Sequence, residues 1–276
     1  MSPGMKRLIP IVLASLAILV AAAAPATASV PRTQAVFNAA FVSSNWAGYA
    51  VTAPGTTYTD VKGSWVQPAA TCGARTAAYS SFWVGLGGFF GGSQGLEQIG
   101  TSADCQSNGR LITYAWYELI PAPPVTVPLV VSAGDTIAAE VSVTGTTVSF
   151  SLTDTTTGAT YSTQAIVASP DLTSAEWIAE APSHCYGSIL IGCSVLPLSN
   201  FGTALFSAAS ATGNGQAGTI SNPAWTSTTI VLGGGGAAGA VPSALSADGA
   251  AFSVAWRSTA SPPPSPRRRQ HPRRGL

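Results

Sequence analysis

The sequence predicts an all-β fold in which a single domain forms an antiparallel sandwich or jelly roll. Short segments of alternating apolar and polar residues recur along most of the chain. Gly, Pro, Thr and Ser are concentrated between these segments, which is typical of turns. The sequence contains no helix-length amphipathic pattern. Many short strands joined by turns favour a sandwich or jelly roll.

The clearest strand pattern lies in the middle of the chain. Apolar residues occupy every second position from Ile137 to Val143 and again from Val148 to Leu152, with Thr144-Gly145-Thr146 between them. Asp154 to Gly158 then turns the chain into a third segment, Thr160 to Ile166. This pattern predicts a hairpin followed by a third strand. Similar short strands are predicted at Val61–Val66, Ser81–Gly85, Leu111–Leu119, Phe201–Ser207, Thr226–Leu232 and Ala251–Trp256.

The first 28 residues have the pattern of a secretory signal peptide. Lys6-Arg7 is a short basic start, Leu8 to Ala24 is an apolar run, and Ala26-Thr27-Ala28 is a small-residue cleavage signal. We expect cleavage after Ala28, a short leader over residues 29–42 and a secreted, extracellular protein with no stable membrane association. The alternative is an uncleaved membrane anchor, which the cleavage signal disfavours.

The last residues differ in composition from the rest of the chain. Three consecutive prolines and five arginines lie in residues 258–276, and this composition does not form a packed strand. We therefore predict a disordered tail after a single folded domain at residues 43–257. A basic tail that binds nucleic acid is the alternative, and we expect no nucleic-acid partner because the rest of the chain is poor in charge.

Charge is scarce in the predicted mature domain. Between Ser29 and Arg257 there are five Lys and Arg against eleven Asp and Glu, a net charge of −6. A weakly acidic surface suits low pH, because protonating its carboxylates leaves little positive charge to repel itself. A Thr/Ser/Gly-rich exported β protein without acid adaptation explains the composition equally well.

The four cysteines predict two disulfides. Cys72, Cys105, Cys185 and Cys193 make an even count in a chain with a secretion signal. Three pairings are open, and we choose Cys185 with Cys193 and Cys72 with Cys105. The cysteine spacing does not suit zinc, and His184 is the only histidine before the tail, so we expect no metal and no cofactor.

Several hydrolase and nucleotide-binding motifs are incomplete. Gly91 to Gly95 matches G-x-S-x-G but lies in a glycine-rich loop, without the strand and helix that expose a nucleophilic serine. Neither Asp135-Thr136 nor Asp154-Thr155 continues with the glycine of a pepsin-type motif. Gly233 to Gly236 lacks the lysine of a P-loop. Carboxylates, amides and aromatic rings remain as candidate chemistry.

Two of the five glutamates lie in one short segment, Ser174 to Pro182. Pro170 and Pro182 bracket it, which leaves room for a strand or a short helix. On a helix Glu176 and Glu180 would be neighbours, whereas on a strand they share a face about 13 Å apart. The strand-rich surroundings favour the strand, so a catalytic glutamate here needs a partner from elsewhere.

Aromatic residues are candidates for a ligand cleft. The chain has seven tryptophans, most of which we assign to the core. Trp116-Tyr117-Glu118 is different, since adjacent strand residues point to opposite faces. We expect at least one of these two rings to face a cleft or solvent.

Six segments together resemble the glutamic peptidase family, the eqolisins. They are Ser43-Ser44-Asn45-Trp46-Ala47-Gly48-Tyr49, Phe82-Trp83-Val84-Gly85, Leu96-Glu97-Gln98-Ile99-Gly100, Tyr114-Ala115-Trp116-Tyr117-Glu118, Ala133-Gly134-Asp135 and Ala175-Glu176-Trp177-Ile178-Ala179-Glu180, followed by Phe201-Gly202. The resemblance runs from Ser43 to Trp256. It implies a concanavalin A-like jelly-roll sandwich of two antiparallel sheets, in agreement with the strand patterns.

The resemblance also implies a catalytic pair, a glutamine at Gln98 and the second glutamate of the AEWIAE segment, Glu180. Glu176 then has a supporting role. The sequence departs from the family pattern at Ile99, where threonine is usual, and the stretch from there to Cys105 is one residue longer. The leader is short compared with the long propeptides of fungal members. These departures concern substrate preference and activation.

The implied function is a secreted acid endopeptidase, a monomer that acts on polypeptides. Glu180 would take a proton from the attacking water, with an unshifted pKa near ~4.3, and Gln98 would stabilise the oxyanion. The expected substrate-binding residues are Trp46, Trp83, Trp116, Tyr117 and Glu118. The alternative is a jelly-roll protein that binds polysaccharide or hydrolyses glycosides, with Glu97 or Glu118 paired with Glu180.

Overall fold

The computed structural model describes residues 40–89, 95–185, 192–233 and 238–258. They belong to one compact unit, Phe37–Leu276. The signal peptide, most of the leader, Ser93 of the G-x-S-x-G segment and the tail lie outside the described residues. The described part contains strands, turns and loops and no helix, in agreement with the predicted fold class. No helix in these ranges could cross a membrane.

Eighteen strands make up the described fold. They are β1 Phe41–Ser43, β2 Trp46–Thr52, β3 Tyr58–Val66, β4 Ser81–Leu86, β5 Leu96–Cys105, β6 Leu111–Ile120, β7 Val125–Val127, β8 Thr136–Thr144, β9 Thr147–Asp154, β10 Ala159–Ile166, β11 Ser174–Glu180, β12 Ser183–Cys185, β13 Cys193–Val195, β14 Thr203–Gly213, β15 Gln216–Thr219, β16 Thr226–Leu232, β17 Ala238–Pro242 and β18 Phe252–Ser258.

One long antiparallel sheet folds over to form the sandwich. Its strand order is β10-β9-β8-β3-β14-β18-β17-β16-β2-β11-β4-β5-β6-β7, with β15 added beside β14 and β1 added beside β16. Only the β1–β16 pair is parallel among the described strands. Strands β12 and β13 form a separate hairpin. Strands β4, β5 and β11 pack on β3, β8 and β9, so these two groups of strands form the facing layers.

The main core lies between these layers. Phe82, Ile99 and Trp177 project from one layer, and Ile137 and Phe150 from the other, all with at most 1 % of their surface exposed. Burying side chains of this size stabilises the fold by roughly 1.5–3 kcal/mol each. The alternating residues of β4, β5 and β11 point the other way and form a second, smaller cluster on the outer face. That outer face carries the candidate site.

The predicted hairpin and third strand are confirmed. Strands β8 and β9 pair from Ile137–Asp154 to Thr144–Thr147, which leaves a two-residue loop at Gly145-Thr146. Gly145 has a φ of +61°, a conformation that glycine adopts without a Cβ clash. Strand β10 then pairs with β9 as predicted.

The segment from Ser174 to Glu180 is a central strand, as its surroundings indicated. It pairs with β2 on one side and β4 on the other. The β2–β11 approach requires Gly48, because a Cβ there would lie 2.0 Å from the carbonyl oxygen of Trp177. The glycine of the SSNWAGY segment therefore permits close pairing of these two strands.

Two chain features refine the expectations from sequence. The disulfides pair Cys72 with Cys105 and Cys185 with Cys193, as predicted. Phe41 and Val42, which the sequence places in the leader, form β1 with Ser43 and join the sheet beside β16. The described sandwich therefore begins before residue 43, because this segment pairs with the last residues of β16, Ile230 to Leu232.

Candidate active site

A cavity of about 430 Å³ lies on the outer face of β4, β5, β6 and β11. Gln98 and Glu180 both line it. Its wall is completed by Asn45, Trp46, Ser81, Leu96, Ser102, Tyr114, Trp116, Glu118, Ile120, Pro124, Thr126, Pro182, Ser183, Cys185 and Cys193. None of these residues is a lysine or an arginine. The sheet supplies the floor, and the disulfide-linked β12–β13 hairpin contributes part of the rim.

Strand register places the two predicted catalytic residues on a diagonal of this face. Glu180 pairs with Ser81 on β4, and Ser81 pairs with Ser102 on β5. Gln98 lies four residues before Ser102 on β5, so it is on the same face of the sheet. Gln98 and Glu180 therefore lie on different strands, β5 and β11. A partner from another strand was expected, because Glu176 and Glu180 lie about 13 Å apart along one strand.

The carboxylate of Glu180 is held by two nitrogen donors. Nδ2 of Asn45 donates to Oε1 at 2.9 Å, and Nε1 of Trp83 donates to Oε2 at 2.7 Å. Both bonds favour the ionised form. Each carboxylate oxygen retains a second acceptor position, so Glu180 can still accept a hydrogen bond from water.

Asn45 is positioned by the turn between β1 and β2. The hydroxyl of Ser43 donates to Oδ1 of Asn45 at 3.2 Å and accepts from the backbone N–H of Trp46 at 3.1 Å. The backbone N–H of Ala181, next to Glu180, donates to the carbonyl oxygen of Asn45 at 2.8 Å. The Ser-Ser-Asn-Trp segment therefore fixes an amide donor against the end of β11.

Trp83 supports Glu180 and does not form the cavity wall. Its side chain is fully buried, and the edge of its ring lies against Gly85. A Cβ at Gly85 would come within 3.0 Å of this ring, and one at Gly100 would lie 2.6 Å from Cβ of Trp83. These two glycines let the indole of Trp83 lie within the sheet, outside the cavity lining, and its role in substrate binding stays a prediction.

Gln98 is bound to a second glutamate. Its Nε2 donates to Oε2 of Glu118 at 2.6 Å across the β5–β6 pair. Its Oε1 is buried and accepts no hydrogen bond. The second Nε2 hydrogen of Gln98 is not used by Glu118, and the carbonyl oxygen has no donor.

The two carboxyl groups that line the cavity both have a pKa near neutrality. Burial raises the pKa of Glu180 to about 7, a shift that the Trp83 hydrogen bond reduces and the charge of Glu118 increases. Burial likewise raises the pKa of Glu118 to about 7, against the hydrogen bond from Gln98. The expectation of an unshifted pKa for Glu180 is wrong, because the cavity removes most water from its carboxylate.

The aromatic residues divide between the cavity and the core. Trp46 lines the cavity and packs edge-to-face on Trp83 with ring centroids 5.0 Å apart. Trp116 also lines it, and its Nε1 donates to the hydroxyl of Ser102 at 3.0 Å. Tyr117 points to the opposite face of the sheet and packs on Phe150 with ring centroids 5.0 Å apart, so its role in substrate binding stays a prediction. Alternation along β6 separates these neighbours.

Glu176 lies on the same face as Glu180 but outside the cavity lining. Its side chain is fully buried, and neither carboxylate oxygen has a hydrogen-bond partner. Burial raises its pKa well above the ordinary value. Among the described residues, no group of His, Cys, Asp and Glu could hold a metal ion.

Asn45, Ser102 and Tyr114 are among the cavity residues that received no role from the sequence. Asn45 lies in the SSNWAGY segment of the family resemblance, and an amide next to a tryptophan was the sequence feature that could have indicated a site role. Ser102 on β5 pairs with Tyr114 on β6, and Tyr114 shares a sheet face with Trp116. Serine and tyrosine are common on any sheet face, so they indicated no site. Strand register was needed to bring them beside Glu180.

The described fold is a β-sandwich, and its cavity holds carboxyl groups and side-chain amides. The model of the Peptidase A4 family matches residues 44–243. The chain therefore belongs to the Peptidase A4 family, the glutamic peptidases or eqolisins, and is a glutamic endopeptidase. Curated proteins gave no match to the chain.

Solved structures of glutamic peptidases share the architecture. The chain is 25% identical to scytalido-glutamic peptidase in complex with a peptide-based transition-state analogue, with a TM-score of 0.62 over 78% of this chain and 98% of that one. Aspergilloglutamic peptidase from Aspergillus niger is 24% identical, with a TM-score of 0.53 over 65% of this chain and 99% of that one. The eqolisin SCP-B, crystallised with the tripeptide Ala-Ile-His, is 22% identical, with a TM-score of 0.58 over 78% and 98%.

Proposed function

We propose that the protein hydrolyses peptide bonds with Glu180 as general base and Gln98 as oxyanion donor. The observation that carries this proposal is that both side chains line one cavity, which also holds a tryptophan and a second carboxyl group. Ionised Glu180 accepts a proton from a water that attacks the peptide carbonyl. Protonated Glu180 then passes this proton to the leaving amine.

Gln98 acts on the developing charge and does not titrate. Its free Nε2 hydrogen donates to the carbonyl oxygen as that oxygen becomes negative. Asn45 and Trp83 hold the carboxylate of Glu180 from its two sides, which leaves a lone pair to face the water. The catalytic glutamate is therefore oriented before substrate binds, which removes reorganisation from the chemical step.

The substrate we propose is a polypeptide chain outside the cell. Two disulfides and an N-terminal secretion pattern support export. The transition-state analogue bound to scytalido-glutamic peptidase is peptide-based, which favours peptide over polysaccharide for a related site. The raised pKa of Glu180 places its ionisation at weakly acidic to neutral pH, so we do not restrict the proposed activity to strong acid.

Casein digestion across pH, with pepstatin present, tests this function. We expect proteolysis by the wild-type protein and none by Glu180→Gln. A matched control is Glu140→Gln, since Glu140 lies on β8 outside the cavity and pairs with Lys62 at 3.3 Å. Hydrolysis of polysaccharide without proteolysis, or full activity of Glu180→Gln, would contradict the proposal.

A further inference from the structure

The amide of Gln98 is held at one end and free at the other. Nε2 donates to Oε2 of Glu118 at 2.6 Å, while Oε1 is buried without a hydrogen-bond partner. Gln98 as a whole is 3 % exposed, and it lines the cavity with Glu118. The orientation of this amide therefore depends on whether Glu118 provides a hydrogen-bond acceptor or a hydrogen-bond donor.

A carboxylate and a carboxylic acid offer an amide opposite partners. The ionised group only accepts, so it binds the Nε2 end of Gln98, as observed. The protonated group has an O–H donor, and the partner for this donor is Oε1. A half-turn of the amide would give the buried oxygen a donor and would free both Nε2 hydrogens from Glu118.

Among the described residues that line the cavity with Glu118, no lysine or arginine is present to fix its ionised state. Of the titratable groups near the cavity, Glu180 on β11 and Tyr114 on β6 line it, and Asp104 on β5 accepts from the hydroxyl of Tyr114 at 2.9 Å. His184 lies on β12 between two lining residues and is not itself in the lining. Burial favours the protonated form of Glu118 and raises its pKa to about 7, against the hydrogen bond from Gln98.

We propose that Glu118 is the positioning residue for Gln98, and that its protonation state sets how many Nε2 hydrogens of the amide remain for the oxyanion. Protonated Glu118 donates to Oε1 of Gln98 and leaves both Nε2 hydrogens free. Ionised Glu118 accepts from one Nε2 hydrogen and leaves only the other. This inference rests on the proposed roles of Gln98 and Glu180.

The active state of the site is then singly protonated. Glu180 must be ionised to act as base, and Glu118 must be protonated to orient the donor. Because the two groups interact, their titrations appear as two values that belong to the pair. The rate should rise with the ionisation of Glu180 and fall with the ionisation of Glu118, which gives a bell-shaped dependence of kcat on pH.

The pH profile of Glu118→Gln tests this assignment. The new amide can donate to Oε1 of Gln98 at every pH, so we expect the basic limb of kcat to disappear. The acidic limb should stay in place, because wild-type Glu118 is already neutral there. Glu140→Gln changes a glutamate outside the cavity and should keep both limbs.

A second variant makes the test independent of how Glu118→Gln folds. Gln98→Ala has no amide to orient, so its residual activity should also lack the basic limb. Thermal unfolding of each variant at each pH shows whether a limb reflects loss of the fold. A basic limb that persists in either variant, or a wild-type rate that does not fall by about tenfold between optimum and high pH, would overturn the inference.

Failure of this inference differs from failure of the proposed function. If Glu180→Gln retains turnover, the catalytic assignment fails regardless of the Glu118 profile. If Glu180→Gln is inactive but Glu118→Gln keeps the wild-type basic limb, only the role of Glu118 fails. Loss of activity in folded Glu118→Gln at all pH values also contradicts the proposal, because an amide should replace the protonated acid.

Discussion

At the scale of single residues, the site combines a titrating group with one that does not titrate. Glu180 changes charge near neutral pH because the cavity buries it, whereas Gln98 contributes only the dipole of its amide. Their neighbours differ accordingly. Asn45 and Trp83 donate to the glutamate, and Glu118 accepts from the glutamine. Substitutions at these positions should therefore separate rate from pH dependence.

Gln98→Ala should lower kcat by about 10²–10³, equivalent to roughly 3–4 kcal/mol, as in other losses of an oxyanion donor. Glu180→Ala should lower it further, since the base is removed. The acidic limb of the pH profile should stay in place in Gln98→Ala, because the acidic limb belongs to Glu180. Steady-state kinetics across pH checks both statements. A shifted acidic limb in Gln98→Ala would contradict the assignment.

Asn45→Ala should move the acidic limb to higher pH. It removes the 2.9 Å hydrogen bond that stabilises ionised Glu180, so the pKa of that carboxyl group rises. A hydrogen bond to a charged group contributes about 1.5–3 kcal/mol, which corresponds to roughly one to two pH units. The same kinetic profile measures the shift.

Asn108→Ala is the matched control for Asn45→Ala. Asn108 lies in an exposed turn, where its Oδ1 accepts from the backbone N–H of Arg110. We expect no shift of the acidic limb in this variant. Equal profiles for the two variants would show that Asn45 does not tune the base.

At the scale of elements, β2, β11, β4 and β5 are neighbouring strands whose outer face presents the site. Gly48, Gly85 and Gly100 lie in these strands where a Cβ would meet backbone or an indole. Their absence of a side chain allows close strand approach and lets Trp83 lie within the sheet. The glycines of the SSNWAGY and FWVG segments thus act through packing and not through chemistry.

Gly48→Ala should be among the most destabilising single-atom additions in the fold. The new Cβ would lie 2.0 Å from a backbone oxygen of β11, at a φ of +149°, so the strands must separate. We expect a loss of more than about 3 kcal/mol, in the range of other overpacked or strained sites. Urea unfolding measures it.

Gly55→Ala provides the comparison for Gly48→Ala. Gly55 also has a positive φ, +71°, but no atom lies within 4 Å of its added Cβ. Its cost should be limited to the conformational strain of about 1–2 kcal/mol. Equal losses in the two variants would contradict the close-approach argument.

At the scale of the whole molecule, the buried carboxyl groups favour an acid-stable fold. Burial raises the pKa of Glu97 to about 7 and that of Asp104 to about 6, and it raises the pKa of Glu176 well above its ordinary value. Above the ordinary carboxyl pKa near ~4.5 the unfolded chain releases these protons, while the folded chain keeps them. The stability that these protonated carboxyl groups contribute is therefore fully present below the ordinary carboxyl pKa, and this contribution is lost as the pH rises through about 6–7.

The melting temperature should fall between pH 4 and pH 8, and Glu176→Gln should reduce that fall. The amide removes the cost of ionising a group whose oxygens have no hydrogen-bond partner. We expect Glu176→Gln to be more stable than wild type at pH 8 and to retain peptidase activity. Calorimetry at both pH values checks the stability, with Glu140→Gln as the exposed control. A melting temperature that rises with pH would contradict the sign of this effect.

The sequence by itself determined the fold class and much of the site. Strands β8 and β9 have one face in the core, so apolar and polar residues alternate along them. This alternation is visible in the sequence, and both strands were predicted from it. Strands β4 and β5 are buried on both faces, which removes alternation, so β5 was found only within a resembling segment. The glutamine and glutamate came from that resemblance, and both lie in the cavity.

The tertiary structure alone decided what surrounds these two residues. Whether Trp83 and Tyr117 face substrate depends on neighbouring glycines and on strand register, neither of which a linear motif shows. The raised pKa of Glu180 depends on how much water the assembled cavity excludes. Likewise, Gln98 and Glu118 are 20 positions apart in the chain, and the β5–β6 pairing joins them. A short sequence segment shows which chemical groups it carries. The burial of these groups and their hydrogen-bond partners are set only when strands that are distant in the sequence pack together.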